Sequence, residues 1–163
     1  MDEEGNLVTE DGEHGELQIL MPHPMKGYRN NSAATAEAFT TDGWVRTGDV
    51  GCVRNSKWYI VDRIKDMIKV RGWQVSPVEI EETIRLHPGV LDAAVTGVPA
   101  DDDSGEVPHA FINKKDESLT EEDVKVFLGV RLAKYKEVEA VTFVSSIPKS
   151  ATGKILRREL KIV

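Results

Sequence analysis

The residue whose type and position most clearly suit a chemical role is Lys154, which follows a glycine near the C-terminal end of the chain. It stands in the run Pro148-Lys149-Ser150-Ala151-Thr152-Gly153-Lys154-Ile155-Leu156-Arg157-Arg158, which predicts a flexible loop leading into a basic helix. A lysine so placed can be brought onto an anion as a movable point charge. A phosphate-binding P-loop would need glycine five residues before the Gly-Lys pair and Ser or Thr after it. Pro148 and Ile155 hold those positions, so the sequence excludes a P-loop.

Three further motifs have residue types that could bind a ligand. In Thr47-Gly48-Asp49, a carboxylate just before a strand could accept hydrogen bonds from the vicinal hydroxyls of a ribose, although Asp and Gly are also common in turns. Asp62-Arg63-Ile64-Lys65-Asp66 is charged and lies between apolar strands, which by itself indicates a solvated turn. Lys69-Val70-Arg71-Gly72-Trp73-Gln74-Val75 has a glycine among bulky residues, which predicts a bulge or a tight bend.

In this order and spacing, these motifs resemble the C-terminal end of adenylate-forming enzymes. That family comprises acyl- and aryl-CoA ligases, peptide-synthetase adenylation domains and firefly-type luciferases. The resemblance extends over Gly43-Trp44-Val45-Arg46-Thr47-Gly48-Asp49, and includes Gly15-Glu16-Leu17 and Met25-Lys26-Gly27-Tyr28 nearer the N-terminus. It therefore covers nearly the whole chain.

The resemblance implies roles for five residues at a nucleotide. Asp49 would hold the ribose hydroxyls of ATP, and Arg63 would also contact the nucleotide. Lys69 and Gln74 would lie near the reacting carboxylate and the nucleotide. Lys154 would be the catalytic cation that stabilises the negative charge developing as a carboxylate attacks the α-phosphate.

Three other residues would serve the change between two half-reactions. Lys65 would be the hinge about which a small domain rotates between adenylation and thioester formation. Gly72 would let the pantetheine arm of CoA pass close to the backbone. Trp73 would contact CoA or belong to the core, and we favour partly exposed packing.

The implied reaction is the ATP-dependent activation of a carboxylic acid to an acyl-adenylate, with Mg²⁺ compensating the phosphates, followed by transfer to CoA. A second interpretation is adenylation for a carrier-protein thiol, and a third is a catalytically inactive, truncated binding module. The chain has no Ser/Thr/Gly-rich phosphate loop and no segment for an acyl pocket. We therefore predict a C-terminal fragment that lacks its N-terminal domain and is inactive when isolated.

Composition narrows the remaining classes of function. The chain has 163 residues, 40% of them hydrophobic and 30% charged, and a net charge of -7 that argues against general nucleic-acid binding. Cys52 is the single cysteine and the four histidines lack zinc spacing, so no disulfide framework and no structural metal are predicted. Neither a signal peptide, a membrane span nor a clear peroxisomal signal is recognisable, which predicts a cytoplasmic protein.

The elements that must position these residues form an α+β chain. Residues 1–64 are predicted to be the β-rich end of an N-terminal domain, and residues 65–163 a small mobile lid with a short sheet and packed helices. Strands are predicted at 16–20, 67–70, 90–98, 107–113 and 140–144, with a hairpin over 51–61 that turns at Asn55-Ser56. Helices are predicted to begin at Asn31 or Ser32, at Ser76 and at Thr120.

Overall fold

The computed structural model describes residues 1–2, 5–102 and 104–160. The chain divides into two compact units, Met1–Lys65 and Asp66–Val163. Both units combine strands with helical segments, which confirms the predicted α+β class. The predicted division after residue 64 lies next to this boundary. Among the described residues, no helix is long and apolar enough to cross a membrane.

The residues described in the first unit include a three-stranded antiparallel sheet and one short α-helix. Its strands, in sheet order, are β1 (Gly15–Ile19), β2 (Val45–Arg54) and β3 (Lys57–Arg63). Helix α1 (Ser32–Glu37) begins after Asn31, whose side chain accepts a hydrogen bond from the Ala34 N–H at 2.9 Å. That bond satisfies one of the donors that the first helical turn leaves unpaired.

The turn between β2 and β3 confirms the predicted hairpin. Asn55 and Ser56 both have left-handed backbones, with φ of 50° and 61°. Two successive residues of this kind form the turn whose twist matches that of antiparallel strands. The turn sets the register of the adjoining residues, and a register shift between Val50 and Gly51 then places Asp49 on β2 opposite Arg63 on β3.

The described residues of the second unit form two small sheets and two α-helices. Its elements are β4 (Ile68–Val70), β5 (Trp73–Val75), α2 (Pro77–Arg85), β6 (Val90–Pro99), β7 (Glu106–Lys114), α3 (Glu121–Gly129) and β8 (Ala140–Phe143). Strands β4 and β5 form a hairpin. In the other sheet β7 is central, antiparallel to β6 and parallel to β8.

Both helices of the second unit begin where the sequence predicts. The Ser76 hydroxyl accepts the Glu79 N–H at 3.4 Å, and Pro77 follows as the first residue of α2. At α3, Thr120 and Asp123 form a reciprocal capping box. The helices and the two sheets share one apolar core, whose larger members are Ile68, Val75, Ile80, Ile84, Val95, Ile112, Val124 and Leu128. This packing makes the unit a stable base for its loops.

The predicted basic helix at the C-terminal end is wrong. The described residues after Lys154 form one 3₁₀ turn, Arg157–Glu159, and not an α-helix. Two side chains of this segment, Ile155 and Leu160, pack against the rest of the unit, on a cluster of Ala94, Phe111 and Ile147. Lys161, which adds to the positive charge of this segment, lies outside the described residues.

Candidate functional site

Asp49 and Arg63 form an open ion pair in the first unit. Arg63 Nε donates to Asp49 Oδ1 at 2.8 Å, and Arg63 Nη2 donates to the Thr47 carbonyl at 3.2 Å. Their side chains are 33% and 51% exposed, so a ligand can reach both. Asp49 lies within β2 and not before it, which corrects the predicted placement. Within the described part of the chain, Asp49 Oδ2 has no hydrogen-bond partner and can accept a hydroxyl.

Glu16 on β1 supports the segment that carries this aspartate. Its Oε2 pairs with Arg46 Nη2 at 2.9 Å, and its Oε1 accepts the Gly48 N–H at 3.3 Å. The Glu16 side chain is only 9% exposed. The sequence shows Glu16 only as part of a motif, because its pairing with Arg46 depends on the register of β1 and β2.

Thr47 also stabilises the segment that carries Asp49, through two hydrogen bonds of its hydroxyl group. Its hydroxyl donates to the Leu17 carbonyl at 2.7 Å and accepts the Asp49 N–H at 3.1 Å. Gly48 between them has a φ of 70°, which favours glycine. Glu16, Thr47 and Gly48 therefore hold the backbone of Asp49 in place, next to the irregularity in the pairing of β1 with β2.

A tight hairpin carries four more of the predicted site residues. Lys69 on β4 lies opposite Gln74 on β5, and both are exposed. Arg71 and Gly72 form the two-residue turn, with φ of 46° and 85°. The predicted bend is therefore confirmed as a hairpin turn. A Cβ built on Gly72 would meet no atom within 4 Å, so the backbone conformation, and not space in this unit, favours glycine.

Trp73 is held on one face while most of its surface stays open. Its ring stacks on Tyr135 with a centroid separation of 4.7 Å and an interplanar angle of 17°. The residue is nevertheless 58% exposed. The partly exposed packing predicted for Trp73 is confirmed, and the ring offers a large apolar surface next to Gly72.

The first residue of β7 and the glycine before it fix strand β4 of the hairpin. Glu106 Oε2 accepts the Lys69 N–H at 3.0 Å, and Val70 forms a bridge with Gly105. Gly105 is required here because a Cβ would lie 2.6 Å from the Lys69 carbonyl oxygen. The base of the hairpin is therefore fixed by β7 and Gly105, and its tip is exposed, with Arg71 paired to Asp102 at 3.6 Å.

Lys154 lies on a small loop closed by its own hydrogen bonds. Lys149 and Ile155 form a bridge at the base of the loop. Inside it, the Ser150 N–H donates to the Lys154 carbonyl at 2.8 Å and the Lys154 N–H donates to the Ser150 hydroxyl at 3.2 Å. Gly153 permits the reversal with a φ of 82°. The Lys154 side chain is exposed, and its ammonium group forms no ion pair with any residue that the structure describes.

Lys65 is the last residue of the first compact unit. It lies in a single 3₁₀ turn, Ile64–Asp66, and is exposed. A short turn with an exposed central residue has few packing ties to break if its torsions change.

Comparisons with known proteins identify a domain in this chain. Residues 79–154 match the AMP-binding enzyme C-terminal domain. The chain is 45% identical over 161 residues to phenylacetyl-CoA ligase epaB of Aspergillus niger, covering 97% of this chain and 30% of that protein. It is 47% identical over 150 residues to 4-coumarate–CoA ligase 2 of Oryza sativa subsp. japonica, covering 90% and 26%. The chain contains an AMP-binding enzyme C-terminal domain.

Solved structures of adenylate-forming enzymes have the same fold. ATP-bound MatB from Rhodopseudomonas palustris matches with a TM-score of 0.86 and 33% identity, over 96% of this chain and 31% of that one. The o-succinylbenzoate-CoA synthetase MenE from Bacillus subtilis, in complex with ATP and magnesium ion, matches with a TM-score of 0.80 and 33% identity, over 96% and 32%. The chain thus spans about 30% of the length of the curated relatives it matches.

The structure sorts the predicted nucleotide and CoA contacts and Lys154 into three places. Asp49 and Arg63 are in direct contact in the first unit. The hairpin of the second unit collects Lys69, Gly72, Trp73 and Gln74. Lys154 lies on a separate loop of that unit. Within the described residues, no three potential metal-ligating side chains cluster together.

Proposed function

We propose that this chain is the C-terminal part of an ATP-dependent acid–thiol ligase that transfers an acyl group to CoA. The observation that carries the proposal is the exposed Lys154 on a closed loop, in a domain whose relatives are named CoA ligases. A lysine held this way presents its charge without a competing carboxylate, as far as the described residues extend. Such a preorganised charge suits a reaction that builds up negative charge on phosphoryl oxygens.

The first half-reaction would form an acyl-adenylate. A carboxylate oxygen of the acid attacks the α-phosphorus of ATP, the bond to the bridging oxygen of the β-phosphate breaks, and pyrophosphate leaves. Mg²⁺ enters with ATP and compensates its phosphates. Lys154 would place its ammonium group between the carboxylate and the α-phosphate, and Asp49 Oδ2 would accept a ribose hydroxyl while Arg63 contacts the nucleotide. Lys69 and Gln74 would provide further polar contacts from the hairpin.

The second half-reaction would use the hairpin tip. The thiol sulfur of CoA attacks the acyl carbon, AMP leaves, and the thiol proton passes to solvent. Gly72 leaves open space at the tip, where nothing in this unit lies within 4 Å of an added Cβ. The exposed face of Trp73 could then pack against the pantetheine arm. The names of the relatives favour CoA over a carrier-protein thiol as the acceptor.

The two parts of the chain would serve different purposes in this cycle. We assign residues 1–64 to the end of a large N-terminal domain and residues 65–163 to a lid that rotates about Lys65. The lid would present Lys154 for adenylation and the Gly72 tip for thioester formation. A cytoplasmic location remains the prediction from sequence, and the pocket that selects the acid would lie in the N-terminal domain.

The hinge assignment predicts that Lys65→Pro separates the half-reactions in the full-length ligase. Proline fixes φ near −65° and restricts the residue before it, so the turn would be held in one state. Adenylation should survive better than thioester formation, measured as pyrophosphate exchange and as acyl-CoA release. Lys65→Ala, which keeps backbone freedom, is the control. Wild-type rates for both half-reactions in a folded Lys65→Pro protein would show that the hinge lies elsewhere.

The 163-residue chain by itself should have no measurable ligase activity. Positioning of the reactants contributes about 7–11 kcal/mol to such reactions, and this chain lacks recognisable segments for the ATP phosphates and the acyl group. The measurement is acid-dependent pyrophosphate exchange by the purified chain, compared with the full-length ligase. Exchange above background would contradict the division of labour proposed here. In the full-length ligase, an acyl product on a carrier-protein thiol and none on CoA would favour the second interpretation.

A further inference from the structure

The loop that carries Lys154 is attached at both ends to one chain of alternating charges. The members of this charge chain are, in spatial order, Arg157, Glu81, Arg85, Asp92 and Lys149. Its two ends, Arg157 and Lys149, are the residues that flank the Lys154 loop. Its middle three residues belong to α2 and β6, which are part of the packed body of the unit.

Glu81 is the buried centre of one attachment. Its side chain is 2% exposed and its Oε1 accepts Arg157 Nη2 at 2.7 Å and the Val95 N–H at 2.9 Å. Arg157 Nε also donates to the Val95 carbonyl at 3.1 Å, so its guanidinium group is fixed by two elements. Burial raises the pKa of Glu81, and the Val95 N–H, Arg157 and Arg85 oppose that effect. A carboxylate in this position depends on its cationic partners to stay charged.

Asp92 is the centre of the other attachment. Its Oδ2 accepts Lys149 Nζ at 2.5 Å, and its Oδ1 accepts Arg85 Nε at 3.2 Å and the Ala93 N–H at 2.9 Å. Partial burial raises the pKa of Asp92, but the bonds from Lys149, Ala93 and Arg85 together outweigh it and the net shift is downward. Arg85 also donates to the Ala93 carbonyl at 2.8 Å, which joins the two attachments through the start of β6.

We propose that Glu81 and Asp92 are positioning residues that hold the Lys154 loop at its two ends and thereby set the place of the Lys154 ammonium group. Neither residue lies on the loop or needs to touch a substrate. Asp92 acts through Lys149, which is 57 residues away in sequence, and Glu81 acts through Arg157, which is 76 residues away. This inference rests on the proposed function for its effect on catalysis, but the attachment itself can be tested without it.

Hydrogen exchange in the 163-residue chain tests the attachment directly. Glu81→Gln keeps the size of the side chain and an acceptor for the Val95 N–H, but removes the charge that holds Arg157. Exchange of the bonded loop amides of Ser150, Gly153 and Leu156 should become about tenfold faster, the scale of coupling between groups in one network. The matched control is Glu79→Gln on the same helix, because Glu79 pairs at 2.6 Å with Lys136, which is not on the loop.

Activity of the full-length ligase provides the second measurement. Glu81→Gln should lower the adenylation rate about tenfold when Lys154 is present, and should have no further effect in a Lys154→Ala background. A residue that supports only the fold would lower the rate in both backgrounds. Asp92→Asn, at the more exposed end of the charge chain, is the second variant if Glu81→Gln fails to fold.

The possible outcomes separate the two proposals. Loop exchange in Glu81→Gln equal to that in Glu79→Gln, or faster exchange spread evenly over the whole unit, would overturn the attachment. An additive loss of activity in the Lys154→Ala background would overturn the positioning role. Faster loop exchange combined with normal adenylation by Lys154→Ala would leave the attachment standing and overturn the proposed function of Lys154.

Discussion

Replacing Lys154 with alanine is expected to slow adenylation about a hundredfold or more in the full-length ligase, the scale seen when one preorganised charge stabiliser is removed. Thioester formation from supplied acyl-adenylate should be much less affected, because in the proposed cycle the lid presents the Gly72 tip, and not Lys154, in that step. The side chain is exposed, so its removal should leave the fold intact.

The two half-reactions are measured separately as acid-dependent pyrophosphate exchange and as acyl-CoA formation from synthetic acyl-adenylate. Arg158→Ala, which removes an exposed cation from the same segment, is the matched control and should keep nearly normal rates. Equal losses in both half-reactions of Lys154→Ala, with unchanged thermal stability, would show that Lys154 does not act at the phosphate.

Gly72→Trp should produce the opposite asymmetry, with thioester formation impaired and adenylation maintained. A bulky side chain would fill the passage proposed for the pantetheine arm. It would also strain the turn, because φ at this position is 85° and a backbone of that kind costs a residue other than glycine about 1–3 kcal/mol.

Gly72→Asn separates bulk from strain. Asparagine tolerates a left-handed backbone better than other side chains, and a Cβ at this position meets no atom of the unit within 4 Å. We therefore expect Gly72→Asn to keep most of the transfer rate. Normal transfer to CoA by a folded Gly72→Trp enzyme would remove Gly72 from the proposed passage.

Local signals account for the parts of this structure that the sequence predicts well. The side chains of Ser76 and Thr120 accept hydrogen bonds from N–H groups three residues later in the chain. The starts of α2 and α3 can therefore be predicted from a few consecutive residues. The same holds for Asn55-Ser56, whose residue types suit a two-residue turn.

Contacts between distant residues explain what could not be predicted. The segment after Lys154 has the composition of a basic helix, but Arg157 is drawn to Glu81, 76 residues earlier in the chain. Ile155 and Leu160 are likewise used by an apolar cluster. The local pattern of residue types carries no information about these distant partners. The sequence therefore predicts a helix where the structure has a closed loop and one 3₁₀ turn.

The residues of the candidate site follow the same rule. The motif containing Asp49 and the motif containing Arg63 are each visible in sequence, whereas their 2.8 Å contact depends on the register of β2 and β3. Glu16 stands out in the sequence only as part of the Gly15-Glu16-Leu17 motif. Its support of Gly48 depends on the pairing of β1 with β2, which alternation of residues does not specify.

The unequal burial of the two loop attachments has a consequence for their response to ionic strength. The Lys149–Asp92 pair has side chains 40% and 21% exposed, whereas those of the Arg157–Glu81 pair are 23% and 2% exposed. Dissolved salt screens exposed pairs much more than buried ones. High salt would therefore loosen the loop on its Lys149 side first, while Arg157 keeps the other side anchored. The loop that carries Lys154 would then be attached to the body of the unit mainly at its Arg157 end, and the Lys154 side chain would have more freedom to move.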